Sequence, residues 1–181
     1  SWMRNDAPEN YESWSDALIK LSASGVLDRG RLLDVSLGGL LIDVKQNYLS
    51  GFHKFHKNMK PTKDELTLRQ NNYLDIMCHK VGHVVKFSLS MLKLIEKSGS
   101  LDYEKFLSEV PVVFQHDAKG IAIDSVRLVK LVINKKPSLL ADGLHSLFDA
   151  LRHPNIDVQS MALDIFEIYR DELSEKLNTE L

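Results

Sequence analysis

The stretch LFDALRHPNIDVQSMALDIFEIY, residues 147–169, has the pattern of two helices and the turn between them. Apolar residues on both sides of the turn recur three and four positions apart, which is helical spacing. Pro154 lies between the two apolar runs, and a proline disfavours helix in the residue before it. The stretch therefore predicts a first helix ending near His153 and a second helix beginning just after Pro154.

The same pattern recurs at a spacing of 37 residues in three copies that align without gaps. The recurring positions are His79, His116 and His153, then Ser88, Ser125 and Ala162, and then Leu89, Val126 and Leu163. One helix pair cannot bury its own apolar face, so stacked pairs share a core. We expect the small residues where neighbouring helices come closest and the large apolar residues in the shared interior.

The periodicity predicts an all-α fold, an α-α superhelix of antiparallel helix pairs in a single domain over residues 1–181. About nine helices are expected, at 9–23, 30–43, 45–58, 63–78, 81–98, 102–115, 118–134, 138–151 and 155–177. The first is a capping helix, and the helix-pair units are 30–61, 62–98, 101–135 and 137–177. Short linkers favour antiparallel neighbours. Pro61, Pro111, Pro137 and Pro154 are each expected at a helix start, and Thr62 with Glu65 forms a capping box.

The stretch ALRHPNIDVQSMALDIFEIY, residues 150–169, resembles a HEAT repeat. In that family a first helix ends near a proline, and a second begins around Asp-x-x-Val-Arg before an Ala-Leu pair. The corresponding residues are Pro154, Asp157, Val158, Gln159, Ala162 and Leu163. This sequence departs from the pattern, because Gln159 replaces the arginine and Asp117 stands where the preceding copy would carry the proline. The resemblance covers roughly 62–175 and implies a superhelix whose second helices line the concave side.

The N-terminal part resembles an uncharacterised bacterial family of helical-repeat proteins. The segments that carry this resemblance are GVLDRGRLLD, residues 25–34, and FHKFHKNMKPTKDEL, residues 52–66. The matching residues are Leu27, Asp28, Arg29, Phe55, His56, Pro61, Thr62 and Glu65. No activity is assigned to that family, so the resemblance implies ancestry and fold and no chemistry.

The amino-acid composition narrows the classes of function to be considered. The chain has 181 residues, of which 44% are hydrophobic and 27% charged, with a net charge of −2. This balance gives no general reason to expect nucleic acid or an anionic membrane as partner. The single cysteine, Cys78, fits a reducing compartment, and we expect a cytoplasmic location. The first residue is Ser1, which is compatible with a piece of a longer protein.

Metal and catalytic sites are not expected. Cys78, His79 and His83 are zinc-type ligands, but a turn at Gly82 separates the histidines and no fourth ligand is evident. His53 and His56 lie three apart on one helix, which is more typical of a solvated face. The glycines of SLGGLL, residues 36–41, lack a Walker lysine and predict close helix contact. We therefore predict a non-enzymatic protein without a cofactor.

The second helices carry a row of aligned charged positions. Lys86, Lys93, Lys97, Arg127 and Lys130, here called the basic row, are the candidate partner-binding residues. The equivalent positions are Ser160, Asp164, Glu167 and Asp171 in the last copy and His53, His56 and Lys60 upstream. With second helices on the concave side, the row predicts a groove that binds a protein or an acidic peptide. The simpler interpretation is that these charges solvate an exposed face.

Two other function classes remain open at this point. The basic row suits a nucleic-acid-binding HEAT-like protein, although it contains a single arginine and no aromatic residue. A helical-repeat enzyme acting on damaged bases would need an acidic residue among groove aromatics. Trp2 and Trp14 are distant in sequence from the row, so nothing supports that class directly.

Overall fold

A computed structural model of the chain describes residues 13–42 and 45–170. These residues form ten α-helices and no strand: α1 Trp14–Ala23, α2 Arg29–Leu41, α3 Gln46–Asn58, α4 Lys63–Leu68, α5 Gln70–Met77, α6 Gly82–Lys97, α7 Tyr103–Glu109, α8 Lys119–Lys135, α9 Leu140–Ser146 and α10 Ile156–Ile168. The predicted all-α fold is confirmed. The parts of the predicted helices at 9–12, 43–44 and 171–177 lie outside the described residues.

Three first helices differ from the sequence prediction because they are interrupted. The predicted helix 63–78 is divided into α4 and α5 at Arg69. Within the predicted helix 102–115, the α-helix ends at Glu109 and a 3-10 helix follows over Val110–Gln115. Pro111 has no N–H for an α-helical hydrogen bond, which explains the change. The third, 138–151, begins and ends in 3-10 turns at Pro137–Leu139 and Ala150–Arg152. Pro111 is the second residue of the 3-10 helix Val110–Gln115, so it does lie at a helix start, but that helix is the second part of the predicted 102–115 helix.

Helix ends are fixed by local hydrogen bonds. The predicted capping box of α4 is present: the Glu65 N–H donates to Thr62 Oγ1 over 3.3 Å, and the Thr62 N–H donates to the Glu65 carboxylate over 2.7 Å. The side chains of Asp28 and Asn155 cap α2 and α10 by accepting from the N–H groups of Arg31 and Asp157. Gly99 follows α6 with a φ of 74°, a conformation that glycine adopts without strain.

The helices form two layers. In what we call the second layer, α3 contacts α6, α6 contacts α8, and α8 contacts α10. In the first layer, α2 contacts α5, α5 contacts α7, and α7 contacts α9. Helices that follow one another in the chain pack across the layers, as α2 does on α3 and α5 on α6. One apolar core runs between the layers from Leu37 to Ile165.

Small residues are buried in this core. Ser88, Ser125 and Ala162 have no exposed surface. A side-chain carbon added at Gly39 would lie 2.6 Å from the Phe52 ring, so the close contact predicted for the glycine pair holds there. Nothing lies within 4 Å of such a carbon at Gly38, so the prediction is wrong for that residue.

The large apolar positions follow the prediction in two copies of three. Leu89 and Val126 are 2% and 0% exposed, whereas Leu163 is 55% exposed. In the second layer α6 is followed by α8 and α8 by α10, but no described second-layer helix follows α10. The expectation of a buried Leu163 is therefore wrong for the described part of the chain.

The three aligned histidines connect neighbouring helix pairs. His116 Nε2 donates to the backbone oxygen of His79 over 2.9 Å, and His153 Nε2 donates to that of His116 over 2.9 Å. A histidine at the end of a first helix is suited to donate to carbonyls that the helix leaves unpaired. His116 and His153 are such donors, and the carbonyl that accepts from each belongs to the preceding helix pair.

Among the described residues, no helix is both long enough and apolar enough to cross a membrane.

Candidate functional site

The basic row lies on α6 and α8, two adjacent helices of the second layer. Lys86, Lys93 and Lys97 are seven and four residues apart, which places them on one face of α6. Lys86 and Lys97 are exposed, about 16 Å apart along the helix axis. Arg127 on α8 is exposed as well, and Lys130 is half-buried.

An acidic residue that the sequence analysis missed joins the two halves of the row. Asp124 on α8 forms an ion pair with Lys93, with 2.9 Å between Oδ1 and Nζ. The same Oδ1 lies 3.9 Å from Nη1 of Arg127. These contacts bring Lys93 and Arg127 together and neutralise part of their charge. No contact brings Lys86 or Lys97 to the rest of the row. The sequence does contain a signal for Asp124, because a carboxylate stands there where the other two copies of the repeat have an apolar residue. Those residues are Phe87 and Met161, each 37 positions away.

A cleft opens beside the row, between α8 and α10. Its volume is 290 Å³, and its lining residues are Val126, Arg127, Lys130, Met161, Asp164 and Ile165. Val126 and Ile165 are almost fully buried and form an apolar floor. The cleft thus combines two members of the basic row with an apolar surface, an arrangement typical of ligand sites.

Upstream, the row does not continue over the surface as expected. His56 is 0% exposed, so the expectation that it lies on a solvated face is wrong. Its ring stays inside because Ser36 and Tyr73 bind both nitrogens, each over 2.7 Å. His53 stacks on Phe87 with 5.8 Å between ring centroids, and Lys60 is exposed.

In the last copy the predicted acidic positions are on the surface. Asp164 and Glu167 are exposed on α10. Ser160 is exposed beside them, and Asp171 lies outside the described residues. The second layer therefore carries cations on α6 and α8 and carboxylates on α10.

Several lysines outside the row hold helix pairs together. Lys135 at the end of α8 pairs with Glu96 on α6, a carboxylate that is 4% exposed. Its hydrogen bond with Glu96 raises the pKa of Lys135. Lys119 on α8 pairs with Asp157 on α10. These cations are engaged within the protein, whereas Lys86, Lys97 and Lys130 have no carboxylate among the described residues within ion-pair distance.

The histidines and the cysteine considered as metal ligands form no such site. No group of three or more His, Cys, Asp or Glu side chains in the described part of the chain is arranged to hold a metal ion. His53 and His83 come together with ring centroids 5.4 Å apart, which offers two ligands. Burial and the His83 ring lower the pKa of His53.

Cys78 has the environment of an unreactive thiol. Its Sγ lies 3.6 Å from a carboxylate oxygen of Glu109 and 3.7 Å from the Leu74 carbonyl. Burial, and then the Glu109 charge, raise the pKa of Cys78 to about 11. A nucleophilic cysteine needs the opposite, a lowered pKa.

The two N-terminal segments singled out in the sequence meet in space. Arg29 Nε donates to Glu65 over 2.7 Å, and its Nη2 donates to the Met59 carbonyl over 2.8 Å. Nearby, the buried Arg69 donates to Asp34 over 2.6 Å and to the Gly30 carbonyl over 3.0 Å. Hydrogen bonding to Arg29 lowers the pKa of Glu65. Every one of these contacts ties α2 to the α3–α4 connection or to the helices that follow it, so the segments hold the fold and display no open site.

The fold and these contacts define an all-α protein of paired helices in two layers. The model of a family described as a domain of unknown function, DUF6493, matches residues 1–120. The match covers more than half of the chain, and the chain belongs to this family. Comparisons with curated proteins and with solved structures gave no match. Membership in a family of unknown function agrees with the resemblance seen in residues 25–34 and 52–66.

Proposed function

We propose that this chain is a non-enzymatic binding module, a HEAT-like α-superhelix that engages a protein or an acidic peptide. The second layer supplies the surface, with the basic row on α6 and α8 and the cleft between α8 and α10. In support, second-layer helices contact one another in chain order, and equivalent histidines link successive helix pairs. A cytoplasmic location is part of the proposal.

The observation that carries the proposal is a set of second-layer lysines without an ion-pair partner among the described residues, one of which lines the apolar cleft. Lys86 and Lys97 project from the same face of α6 that sends Lys93 to Asp124 on α8. Lys130 lies at the cleft itself. An acidic partner would supply the carboxylates that these lysines lack. Such exposed pairs contribute about 0.2–1 kcal/mol each, so affinity would require several of them together with apolar burial.

Nucleic acid is the weaker candidate for the same surface. A phosphate backbone crossing from α8 to α10 would meet Asp164 and Glu167, which repel it. The row holds one arginine, and the cleft floor is aliphatic and offers no aromatic ring for base stacking. A peptide can use both the cations and the apolar floor.

Charge reversal at the unpaired lysines tests the proposal. The double variant Lys86→Glu with Lys130→Glu is compared with the double variant Lys63→Glu with Lys105→Glu, which makes the same charge change on α4 and on the first-layer helix α7. Proteins captured from a lysate of the native organism are quantified for wild type and both variants, after circular dichroism has verified equal helicity. We expect partners retained by wild type and the control to be lost with the second-layer variant.

The opposite result is equally informative. Equal capture by both variants would remove the second-layer surface from consideration. A titration of duplex DNA at 50 and 200 mM salt separates the nucleic-acid alternative, because phosphate contacts give binding that falls steeply with salt.

A further inference from the structure

We infer that the cleft between α8 and α10 binds an acidic residue of a peptide together with an adjacent apolar side chain. The carboxylate binds Lys130 and Arg127, and the apolar side chain rests on Val126, Met161 and Ile165. The inference rests on the proposed function and specifies its ligand.

The α6–α8 and α8–α10 interfaces are equivalent within the repeat but differ at one position. Lys93 on α6 and Lys130 on α8 are 37 residues apart and occupy equivalent positions. Lys93 is paired with Asp124, which belongs to the next second-layer helix. The position equivalent to Asp124 is Met161 on α10. Lys130 therefore faces a methionine where Lys93 faces a carboxylate.

Because Met161 replaces a carboxylate, the charge of Lys130 is left without an internal partner among the described residues, and an open cleft remains beside it. No described carboxylate lies within ion-pair distance of Lys130, and Met161 lines an open cleft of 290 Å³. A ligand carboxylate would take the role at α8–α10 that Asp124 has at α6–α8. Arg127 adds a second cation: it is 65% exposed, and its pair with Asp124 is long at 3.9 Å. A guanidinium with free N–H donors can bind a carboxylate through two hydrogen bonds.

The apolar floor of the cleft favours a ligand in which an apolar side chain lies next to the carboxylate. Val126 and Ile165 are 0% and 1% exposed, so the bottom of the cleft is preformed by packed core residues. Met161 is half-buried on the wall, and its unbranched thioether adapts to side chains of different shape. A leucine or an aromatic side chain placed there would remove its own apolar surface and that of Met161 from water.

The charge on the opposite wall sets the orientation of the ligand. Asp164 lies on α10, across the cleft from Arg127 and Lys130. A carboxylate is attracted toward α8 and repelled from α10. The acidic residue of the ligand therefore lies on the α8 side, and a backbone N–H or a basic side chain is favoured on the α10 side.

A peptide array measured with the complete chain tests the inference. Fluorescein-labelled dodecapeptides in a Gly/Ser background carry one Leu, Phe or Trp, with one Glu placed within two positions of it. Matched peptides replace the Glu by Gln or the apolar residue by Gly. Binding is measured by fluorescence polarisation at 50 mM salt. We expect peptides with both residues to bind, and both replacements to weaken binding about tenfold or more.

Three variants locate the binding. Met161→Asp recreates the Lys93–Asp124 arrangement, so Lys130 gains an internal partner and peptide affinity is expected to fall about tenfold or more. Lys130→Gln is expected to have a similar effect. Met161→Leu keeps the apolar wall, and its affinity should stay within about threefold of wild type. Lys130→Gln alters a half-buried surface residue without touching the core, so it serves if Met161→Asp perturbs folding.

The outcomes separate this inference from the proposed function. Unchanged peptide binding in Met161→Asp and Lys130→Gln, with loss in Lys86→Glu, would place the ligand elsewhere on the basic row and overturn the cleft site alone. The cleft site would also be overturned if no array peptide bound, while lysate capture still depended on Lys86 and Lys130. Failure of both assays would overturn the proposed function as well.

Discussion

His153 donates a hydrogen bond of 2.9 Å from Nε2 to the backbone oxygen of His116, the histidine that occupies the same position one helix pair earlier. His116 makes the same bond to His79. The Asn155 N–H donates to Nδ1 of His153, which leaves Nε2 as the nitrogen that donates to His116. The carbonyl of His153 accepts from the Gln159 side chain over 2.7 Å. Each link therefore satisfies a helix-end carbonyl of the preceding pair.

Removing the last histidine should destabilise the contact between helix pairs. His153→Leu leaves the His116 carbonyl and the Asn155 N–H without their partners in a site where His153 is 1% exposed. The expected loss in free energy of unfolding is about 1–3 kcal/mol, the cost of buried polar groups left unpaired. The measurement is urea unfolding followed by circular dichroism. His145→Leu is the control, because His145 is exposed on α9, and it should change stability by less than about 0.5 kcal/mol.

The sequence predicted the position of these histidines but not the partner of each. The alignment of the three copies shows which residues are equivalent. It does not show whether a side chain bonds to its own copy of the repeat or to a neighbouring one. The same limit explains why the role of Asp124 was missed. The sequence shows a carboxylate where positions 87 and 161 are apolar, but the ion pair with Lys93 depends on how α6 packs on α8. Helix existence, by contrast, follows from local spacing, and every predicted helix within the described residues is present in whole or in pieces.

Leu163 was placed wrongly for a related reason. Its alignment with Leu89 is correct, but burial comes from the neighbour that covers the position. Since helix periodicity is a property of one segment, it cannot indicate whether a neighbour is there. The interruption of the predicted 102–115 helix was also missed, although Pro111, which lacks a backbone donor, was its signal in the sequence.

Identical substitutions at equivalent positions should have unequal costs. Leu89→Ala removes a side chain that is 2% exposed and leaves a cavity in the core, so we expect a loss of about 2–5 kcal/mol in the free energy of unfolding. Leu163→Ala acts on a side chain that is 55% exposed and should cost less than about 1 kcal/mol. Chemical unfolding of both variants measures the difference. A loss at Leu163 equal to that at Leu89 would show that this face of α10 is covered in solution.

Acid should destabilise the protein through His56. Burial, and then the positive charge of Arg69, lower the pKa of His56 to about 4, compared with 6.5 in the unfolded chain. The unfolded state therefore binds a proton between these values that the folded state excludes. Stability is lost as pH falls from about 6.5 toward 4, by up to about 3 kcal/mol from this residue.

The measurement is the free energy of unfolding in urea at several pH values from 7.5 to 4.5. The His56→Gln variant lacks the titrating group, so its curve should be lower at pH 7 and flatter over this window. His145→Gln removes an exposed histidine and should leave the slope of wild type unchanged. Parallel curves for wild type and His56→Gln would contradict the assignment.

The thiol of Cys78 should react slowly in the folded protein. A pKa of about 11, compared with 9.0 for an unperturbed thiol, lowers the thiolate fraction at pH 8 by about a hundredfold. Alkylation by iodoacetamide, followed by mass spectrometry, should be slow in buffer and fast in denaturing urea. Glu109→Gln removes the neighbouring charge and should accelerate the reaction of the folded protein. Equal rates in buffer and urea would contradict a raised pKa.

Asp124 should limit how strongly the second layer attracts acidic ligands. Asp124→Asn removes a carboxylate that pairs with Lys93 and approaches Arg127, so both cations become available to a ligand. We expect the acidic array peptides to bind about two- to tenfold more tightly, with a steeper dependence on salt because more charge is involved. Asp142→Asn on α9 makes the same charge change in the first layer and is the control. If both variants strengthened binding equally, the effect would come from net charge, and a local role of Asp124 in the basic row would be excluded.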